Sequence, residues 1–226
     1  MSAKPCRLLL FVRYPQAGQT KTRLIPAIGA IAAANLQQEI AEYLLEQLKP
    51  ASNSDNWQLQ IYFTGCTLAK MRKWLGNDLL YRQQSSGDLG ARLWNGFKLG
   101  FEEGCDRIVA IGADCPSISR SHIQQSFDAL LTTELVLGPA QDGGYYLIGL
   151  NRQQVCASQK PTESLALRGR SLFQSIDWST SQVLQQTQSK AKQMNLSIAY
   201  LETLSDIDRP QDMVIWNKLK SDRAQV

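Results

Sequence analysis

The sequence contains a single histidine, and none of its five cysteines forms a CxxC pair. A zinc site built from cysteine and histidine ligands is therefore not expected. The odd number of cysteines and the lack of a signal-peptide pattern predict a reducing, cytoplasmic environment. With so little histidine, acid–base chemistry would fall to carboxylates, and electrostatic catalysis to lysine, arginine and a metal ion.

Long apolar runs and strong charge clusters are also missing. The run LLLFV at residues 8–12 is far shorter than the roughly 20 residues of a membrane span, so it predicts a strand and no stable membrane insertion. The net charge of +4 is spread along the chain, which favours a small anionic ligand over a nucleic acid. The 226 residues show no repeat or linker-like tract, so we predict a single domain, residues 1–226, and leave a homodimer open.

The stretch RIVAIGADCP, residues 107–116, predicts a strand buried on both faces that ends at a carboxylate. In open α/β sheets ligands bind beyond the carboxyl ends of the strands, so Asp114 occupies a position from which a side chain can hold a metal ion or a substrate. The alternative is that Asp114 closes an Asx turn ahead of Pro116 and serves only its own backbone.

A second candidate segment follows the first predicted strand, residues 7–12. Its sequence RYPQAGQTKTRL places Arg13, Lys21 and Arg23 among turn-forming residues, a composition that could surround an anion with cations and backbone N–H groups. The P-loop pattern GxxxxGK[ST] is absent. The alternative is a solvated basic loop.

The segment GDLGARL, residues 87–93, predicts the start of a helix. Asp88 can cap this helix, and the flanking Gly87 and Gly90 would let the backbone approach a ligand closely. An ordinary helix cap explains Asp88 equally well. Arg92, one turn into the helix, could face either a ligand or water.

Further carboxylates stand close to turns in the second half of the chain. Asp142, Gly143 and Gly144 form a tight turn between two predicted strands, which is either a hairpin connection or an active-site loop. Asp206 and Asp208 precede a helix whose first turn contains proline, and capping would explain them. The proline favours the first helical position, however, which leaves Asp208 outside the helix and free for another role.

Two other features predict structure more than chemistry. His122 follows a serine at a predicted helix start, and we expect it at the surface. Residues 151–170 are polar and lack a clear period, which is typical of a lid or of a mobile connection.

Taken together, these segments resemble a group of bacterial glycosyltransferase-like proteins of the nucleotide-diphospho-sugar transferase superfamily. The first loop is also similar to the phosphate-binding loop of phospholactate guanylyltransferases, which carry Lys-Ser-Arg-Leu. The last segment is similar to the DIDTPED ending of molybdenum-cofactor cytidylyl- and guanylyltransferases. The matching segments span almost the whole chain: FVRYPQAGQTKTRL (11–24), GDLGARL (87–93), IGADCP (111–116), LGPAQDGGYYLIGL (137–150) and DIDRPQD (206–212).

The resemblance implies a GT-A fold, a Rossmann-like three-layer α/β/α sandwich with a mostly parallel central sheet. It implies a nucleotide-binding half, approximately residues 1–116, and an acceptor half, residues 117–226. In relatives, the acid after the central strand and a residue of the DID-like motif hold Mg²⁺ or Mn²⁺. By position these are Asp114 and Asp208, with Asp206 a less certain neighbour.

By the same resemblance Lys21 and Arg23 would fall on the phosphates. The chain departs from its relatives at Arg13, where they often carry lysine, and at Arg209, which replaces a threonine. The first departure keeps the charge, and the second weakens a cap without touching the proposed metal ligand. The full nucleotide-binding set that we predict is Arg13, Lys21, Arg23, Gly87, Asp88 and Gly90.

The acceptor is expected at the loop of Gly143, Gly144 and Tyr145. Asp142 is the candidate general base, although it could equally stabilise its own turn.

Three functions are compatible with these residues. The leading hypothesis is a metal-dependent transferase with a nucleotide-activated donor, a nucleotide sugar first, because the whole chain resembles that group. The KTRL segment suits a triphosphate and favours the second, a nucleotidyltransferase that releases pyrophosphate from an NTP. The third is a non-catalytic nucleotide-binding protein that kept the fold.

Overall fold

The computed structural model describes residues 6–49, 57–152 and 165–224. Their strands form one sheet in the order β3-β2-β1-β4-β6-β5-β7. Neighbouring strands are parallel except at β6, which runs antiparallel to both β4 and β5. The strands are β1 (Cys6–Arg13), β2 (Trp57–Thr64), β3 (Leu80–Gln83), β4 (Arg107–Gly112), β5 (Leu135–Pro139), β6 (Tyr145–Asn151) and β7 (Ile198–Tyr200).

Helices cover both faces of this sheet. Two short 3-10 helices, Thr22–Leu24 and Pro210–Asp212, precede α-helices that begin at the next residue. The α-helices are α1 (Ile25–Ile28), α2 (Ala30–Leu48), α3 (Leu68–Leu75), α4 (Leu89–Glu102), α5 (Arg120–Ala129), α6 (Leu165–Phe173), α7 (Val183–Gln193) and α8 (Met213–Ala224). No helix in these described segments combines the length and the hydropathy that a bilayer-spanning segment needs.

The central strand β1 shows why the chain adopts three layers. Its successive side chains point to opposite faces, so Leu8 and Leu10 pack into the core on the α2 and α8 side, while Leu9 packs against Phe97 and Phe101 of α4. Each fully buried side chain of this size contributes about 1.5–3 kcal/mol. The predicted fold class, a Rossmann-like α/β/α sandwich with a mostly parallel sheet, is confirmed.

Most of the predicted elements occur where the patterns placed them, including the central strand and the helix that Asp88 caps. The irregular segment predicted for 151–170 is wrong at its C-terminal end, because α6 begins at Leu165. Residues 153–164 of that prediction lie outside the described residues.

The predicted surface position of His122 is also wrong, because the side chain is buried. Its Nδ1 accepts a hydrogen bond from the backbone N–H of Ser119 at 3.0 Å, and its Nε2 lies 2.6 Å from Glu202 Oε1. The ring also packs edge to face on Tyr146. Ser119 is a local partner at the helix start, but Glu202 and Tyr146 come from distant parts of the chain, and the sequence around His122 carries no sign of them.

Candidate functional site

The candidate site is built around Lys21, which lies in the loop after β1. Its backbone is left-handed, with a φ of 45°, and its side chain is only 1 % exposed. The Nζ donates to Asp114 Oδ1 at 2.6 Å and to the Ile207 carbonyl oxygen at 2.6 Å. A buried ammonium is costly unless it is paired, and these acceptors pair its charge and engage two of its three N–H groups.

The same contacts join three segments that are far apart in sequence. β1 and β4 are parallel neighbours, so their following loops start at the same sheet edge. The Ile207 N–H donates to the Asp114 carbonyl oxygen at 2.9 Å, which ties the segment before α8 to the loop after β4. Arg23 donates to Asp208 Oδ2 at 2.6 Å. Lys21, Arg23, Asp114 and Asp208 are therefore brought together.

A cavity of about 280 Å³ opens beside these contacts, and we call it the cationic cavity. Its basic residues are Arg13, Lys21 and Arg92, and its acidic residues are Asp114 and Asp208. Arg23 pairs with Asp208 but does not line the cavity. The remaining lining residues are Phe11, Val12, Gln19, Thr20, Gln37, Thr64, Gln84 and Leu89.

Sequence reasoning left Arg92 open and missed Thr64 and Gln84. Arg92 lies one helical turn after the Asp88 cap, and side chains of a helix point back toward its N-terminus, which carries Arg92 toward the sheet edge. Thr64 ends β2 and Gln84 follows β3. The usable signal for both was a polar residue at the carboxyl end of a parallel strand.

Asp88 and Gly90, at the start of α4, do not line the cationic cavity that Arg13 and Lys21 line. Asp88 Oδ1 accepts from the Ala91 N–H at 2.8 Å, as an ordinary helix cap does. The Gly87 carbonyl oxygen accepts from Arg92 Nε at 3.0 Å. Asp88 and Gly90 line a separate cavity of about 610 Å³ between α4 and α6. Their nucleotide-binding role stays a prediction.

The DGG turn connects β5 and β6, so it is part of a hairpin, but one with a connection longer than two residues. Asp142 Oδ1 accepts from the Gly144 N–H at 2.8 Å, a bond that stabilises the turn. Gly143 has a φ of +89°, and a Cβ there would lie 2.2 Å from the Ser181 carbonyl oxygen. Tyr145 lines a cavity of about 260 Å³ that also reaches Asp114 and Asp206.

Negative charge is concentrated near Asp206. Burial is the main cause that raises the pKa of this carboxyl, and the nearby carboxylates of Asp114 and Asp142 add to it, whereas the Lys21 ammonium opposes them. Together these effects raise the pKa of Asp206 to about 7. A divalent cation would relieve this repulsion between carboxylates.

The residues present fit such a cation. Asp114 and Asp208 are 48 % and 41 % exposed, and each has one carboxylate oxygen engaged by a cationic side chain. Within the described ranges no group of three or more His, Cys, Asp or Glu side chains is placed to hold a metal ion. Mg²⁺ does not need such a cage, because it commonly uses one or two carboxylates together with substrate phosphates and water.

Comparisons with known proteins agree with this architecture. The profile of a family described as "Uncharacterized protein conserved in bacteria (DUF2064)" matches residues 47–180, more than half of the chain. A search of curated proteins returned no match.

Among solved structures, one from Desulfovibrio desulfuricans, described provisionally as a nucleotide-diphospho-sugar transferase, is 29 % identical, with a TM-score of 0.79 over 90 % of this chain and 82 % of its own. A 4-diphosphocytidyl-2C-methyl-D-erythritol synthase from Anaerococcus prevotii is 9 % identical, with a TM-score of 0.62 over 96 % of each chain. A glucosyl-3-phosphoglycerate synthase from Mycobacterium tuberculosis, in complex with Mn²⁺, UDP and glucosyl-3-phosphoglycerate, is 12 % identical, with a TM-score of 0.55 over 94 % of this chain and 75 % of its own. The fold is therefore that of the nucleotide-diphospho-sugar transferases, which cytidylyltransferases and glycosyltransferases share.

Proposed function

The chain belongs to the DUF2064 family of bacterial proteins, and from that premise we propose that it is a metal-dependent transferase with a nucleotide-activated donor, a nucleotide sugar in the first place. The observation that carries the proposal is the cationic cavity. There Arg13, Lys21 and Arg92 line the same cavity as Asp114 and Asp208, at the carboxyl edge of the sheet. That edge is where open α/β sheets bind their ligands.

In this proposal the three cations hold the donor's diphosphate. Lys21 is fixed by its two acceptors, so its charge is in place before the ligand binds. Arg13 and Arg92 can add planar, multidentate contacts to phosphate oxygens. Asp114 and Asp208 would hold Mg²⁺ or Mn²⁺, which when bound would neutralise charge on the leaving phosphate.

Asp142 keeps its predicted place as the candidate general base. It is exposed in the turn before β6, close enough to Asp206 for the two charges to interact. One of its oxygens binds the Gly144 N–H, so the carboxylate is held in a fixed position. A base needs a fixed position within reach of the acceptor proton.

Nucleotidyl transfer is the second candidate. Three cations in one small cavity suit a triphosphate as well as a diphosphate, and the 4-diphosphocytidyl-2C-methyl-D-erythritol synthase shares the fold. The two reactions differ in the bond that breaks: glycosyl transfer releases a nucleoside diphosphate, whereas nucleotidyl transfer releases pyrophosphate.

Product analysis separates these candidates. The protein is incubated with each NTP and with a panel of nucleotide sugars, with Mg²⁺ or Mn²⁺ or with EDTA, and released nucleoside diphosphate and pyrophosphate are quantified. Nucleoside diphosphate from a nucleotide sugar, only with metal, supports the leading proposal. Pyrophosphate from an NTP would replace it with nucleotidyl transfer.

Calorimetry on Asp114→Asn tests the metal site and the non-catalytic alternative. We expect the variant to lose the increase in nucleotide affinity that Mg²⁺ gives the unmodified protein. Asp128→Asn removes the same charge from the exposed face of α5 and serves as the control. If Asp114→Asn binds nucleotide as the unmodified protein does, both with and without Mg²⁺, the metal site is wrong.

A further inference from the structure

The cavity of about 260 Å³ that Tyr145 lines adjoins the cationic cavity. The two share Phe11, Leu89 and Asp114 as walls. A group held in the cavity that Tyr145 lines would therefore lie directly beside a donor phosphate held in the cationic cavity. We call the cavity that Tyr145 lines the apolar cavity, and its remaining lining residues are Leu93, Ala110, Ile111, Gly112, Tyr145, Tyr146, Ile148 and Asp206.

The apolar cavity exists because β4 carries two small residues on one face. Ala110 and Gly112 are two positions apart, so they point to the same side of the sheet. Their cross-strand neighbours are larger: Ile148 of β6 pairs with Ala110, and Phe11 of β1 pairs with Gly112. A Cβ placed on Gly112 would meet no atom within 4 Å, so the space beside it is open.

The walls of this cavity differ in chemistry from those of the cationic cavity. They include no lysine, arginine or histidine, and their charged groups are the carboxylates of Asp114 and Asp206. Lys21 pairs with Asp114 at 2.6 Å but does not line this cavity, so a phosphorylated ligand would bring its negative charge against the carboxylates with no cationic side chain on the walls. This cavity therefore disfavours an anionic acceptor.

A free sugar is also a poor match. Its hydroxyl groups would lose water without gaining partners along the walls that Phe11, Leu89, Leu93 and Ile148 form. The Tyr146 hydroxyl already donates to the Glu202 carbonyl oxygen at 3.1 Å, so it can only accept, and the Tyr145 hydroxyl is buried beside Thr187. The polar end of the cavity is the carboxylate end, which can accept a hydrogen bond from one hydroxyl group.

We infer that the apolar cavity is the acceptor site, and that it takes a small uncharged molecule with a compact apolar or aromatic body and a hydroxyl group directed at the carboxylate end. This inference rests on the proposed function, because it names the acceptor class of that transferase. The size agrees, since a cavity of roughly 150 Å³ already holds a benzene ring. Stacking against Phe11 and Tyr145 would hold an aromatic body in place.

Benzyl alcohol and benzyl phosphate test the inference, because they share one body and differ in charge. Binding of each is measured by protein-observed NMR titration. We expect benzyl alcohol to bind in the millimolar range and to shift the resonances of Ala110 and Gly112. Saturating Mg²⁺ and a nucleoside diphosphate, which occupy the cationic cavity under the proposed function, are added so that the benzyl phosphate group cannot bind there. We then expect benzyl phosphate to bind at least about tenfold more weakly than benzyl alcohol, a difference of ~1.4 kcal/mol.

Substitutions at Gly112 locate the binding. Gly112→Leu fills the open space and should weaken benzyl alcohol binding by about tenfold or more, and Gly112→Ala, the gentler change, by a smaller factor. Ala91→Leu adds hydrocarbon to an exposed position of α4 outside this cavity and should bind as the unmodified protein does. The inference is overturned if benzyl alcohol does not bind the unmodified protein. It is also overturned if both Gly112 variants bind benzyl alcohol as tightly as the unmodified protein does, or if benzyl phosphate binds as tightly as benzyl alcohol.

Nucleotide binding to the unmodified protein is measured separately, with and without Mg²⁺. If no nucleotide or nucleotide sugar binds, the proposed function fails. If a nucleotide binds and benzyl alcohol does not, the acceptor assignment alone fails.

Discussion

Lys21 and Asp114 form an ion pair of 2.6 Å although they are separated by 93 positions in the chain. The Nζ of the same lysine also donates to the Ile207 carbonyl oxygen at 2.6 Å. One buried ammonium thus holds the loop after β1, the loop after β4 and the segment before α8 together. Positions that both bind the ligand and hold the site together should affect affinity and stability at once.

Lys21→Met tests this double role. The substitution leaves the buried Ile207 carbonyl oxygen without its donor, which should reduce the free energy of unfolding by about 1–3 kcal/mol. It also removes the proposed phosphate contact and should weaken nucleotide binding by about tenfold or more. Chemical denaturation and calorimetry measure the two effects. Lys49→Met, which breaks the exposed ion pair with Asp78, should change neither; a similar loss there would contradict the prediction.

Arg92→Ala tests the residue that the structure adds to the cationic cavity. Arg92 lines that cavity, so its loss should weaken nucleotide binding by about tenfold, with little change in stability. Lys98→Ala removes a positive charge from the same helix, but at an exposed position that lines the cavity of about 610 Å³ between α4 and α6. Nucleotide titration should separate the two variants. Equal effects would mean that only the overall charge of α4 matters.

The sequence predicted what depends on neighbours along the chain. The apolar, β-branched run in residues 107–112 predicted the central strand, and the position of Asp88 before an apolar helical pattern predicted that it could cap a helix. The resemblance placed Asp114, Lys21 and Asp208 in one site, and the structure does bring them into contact with one cavity.

What the sequence could not show depends on how the sheet is ordered. The apolar cavity requires Ile148 to lie beside Ala110, and this follows only from the insertion of the antiparallel β6 between β4 and β5. The burial of His122 likewise depends on Glu202, which arrives after β7. Neither contact leaves a local pattern, because the partners are set by packing and not by spacing.

Gly143→Ala tests the geometry of the turn before β6. Both Gly143 and Gly104 have a positive φ, +89° and +93°, so alanine at either should cost about 1–2 kcal/mol in backbone strain. At Gly143 the added Cβ would also lie 2.2 Å from the Ser181 carbonyl oxygen, whereas at Gly104 it would meet nothing within 4 Å. We therefore expect Gly143→Ala to lower the free energy of unfolding further, by about another 1–3 kcal/mol. Equal losses in chemical denaturation would show that the turn moves freely away from Ser181.

Asp206→Asn tests the electrostatics of the site through the pH dependence of stability. Burial first, and then Asp114 and Asp142, raise the pKa of Asp206 from its usual 3.8 to about 7 in the folded protein. The protonated form of Asp206 is therefore favoured by folding. Its contribution to the free energy of unfolding is fully present below about pH 4 and is lost as the pH rises through 7.

In EDTA we expect Asp206→Asn to resemble the unmodified protein near pH 4 and to be the more stable of the two at pH 8. The difference at pH 8 should reach up to about 4 kcal/mol, at 1.36 kcal/mol per pKa unit. Thermal unfolding from pH 4 to pH 8 measures both proteins, with Asp128→Asn as the charge control. Parallel stability curves for Asp206→Asn and the unmodified protein would show that the carboxylate is ionised without cost, and that the crowding of negative charge at this site is much weaker than its geometry indicates.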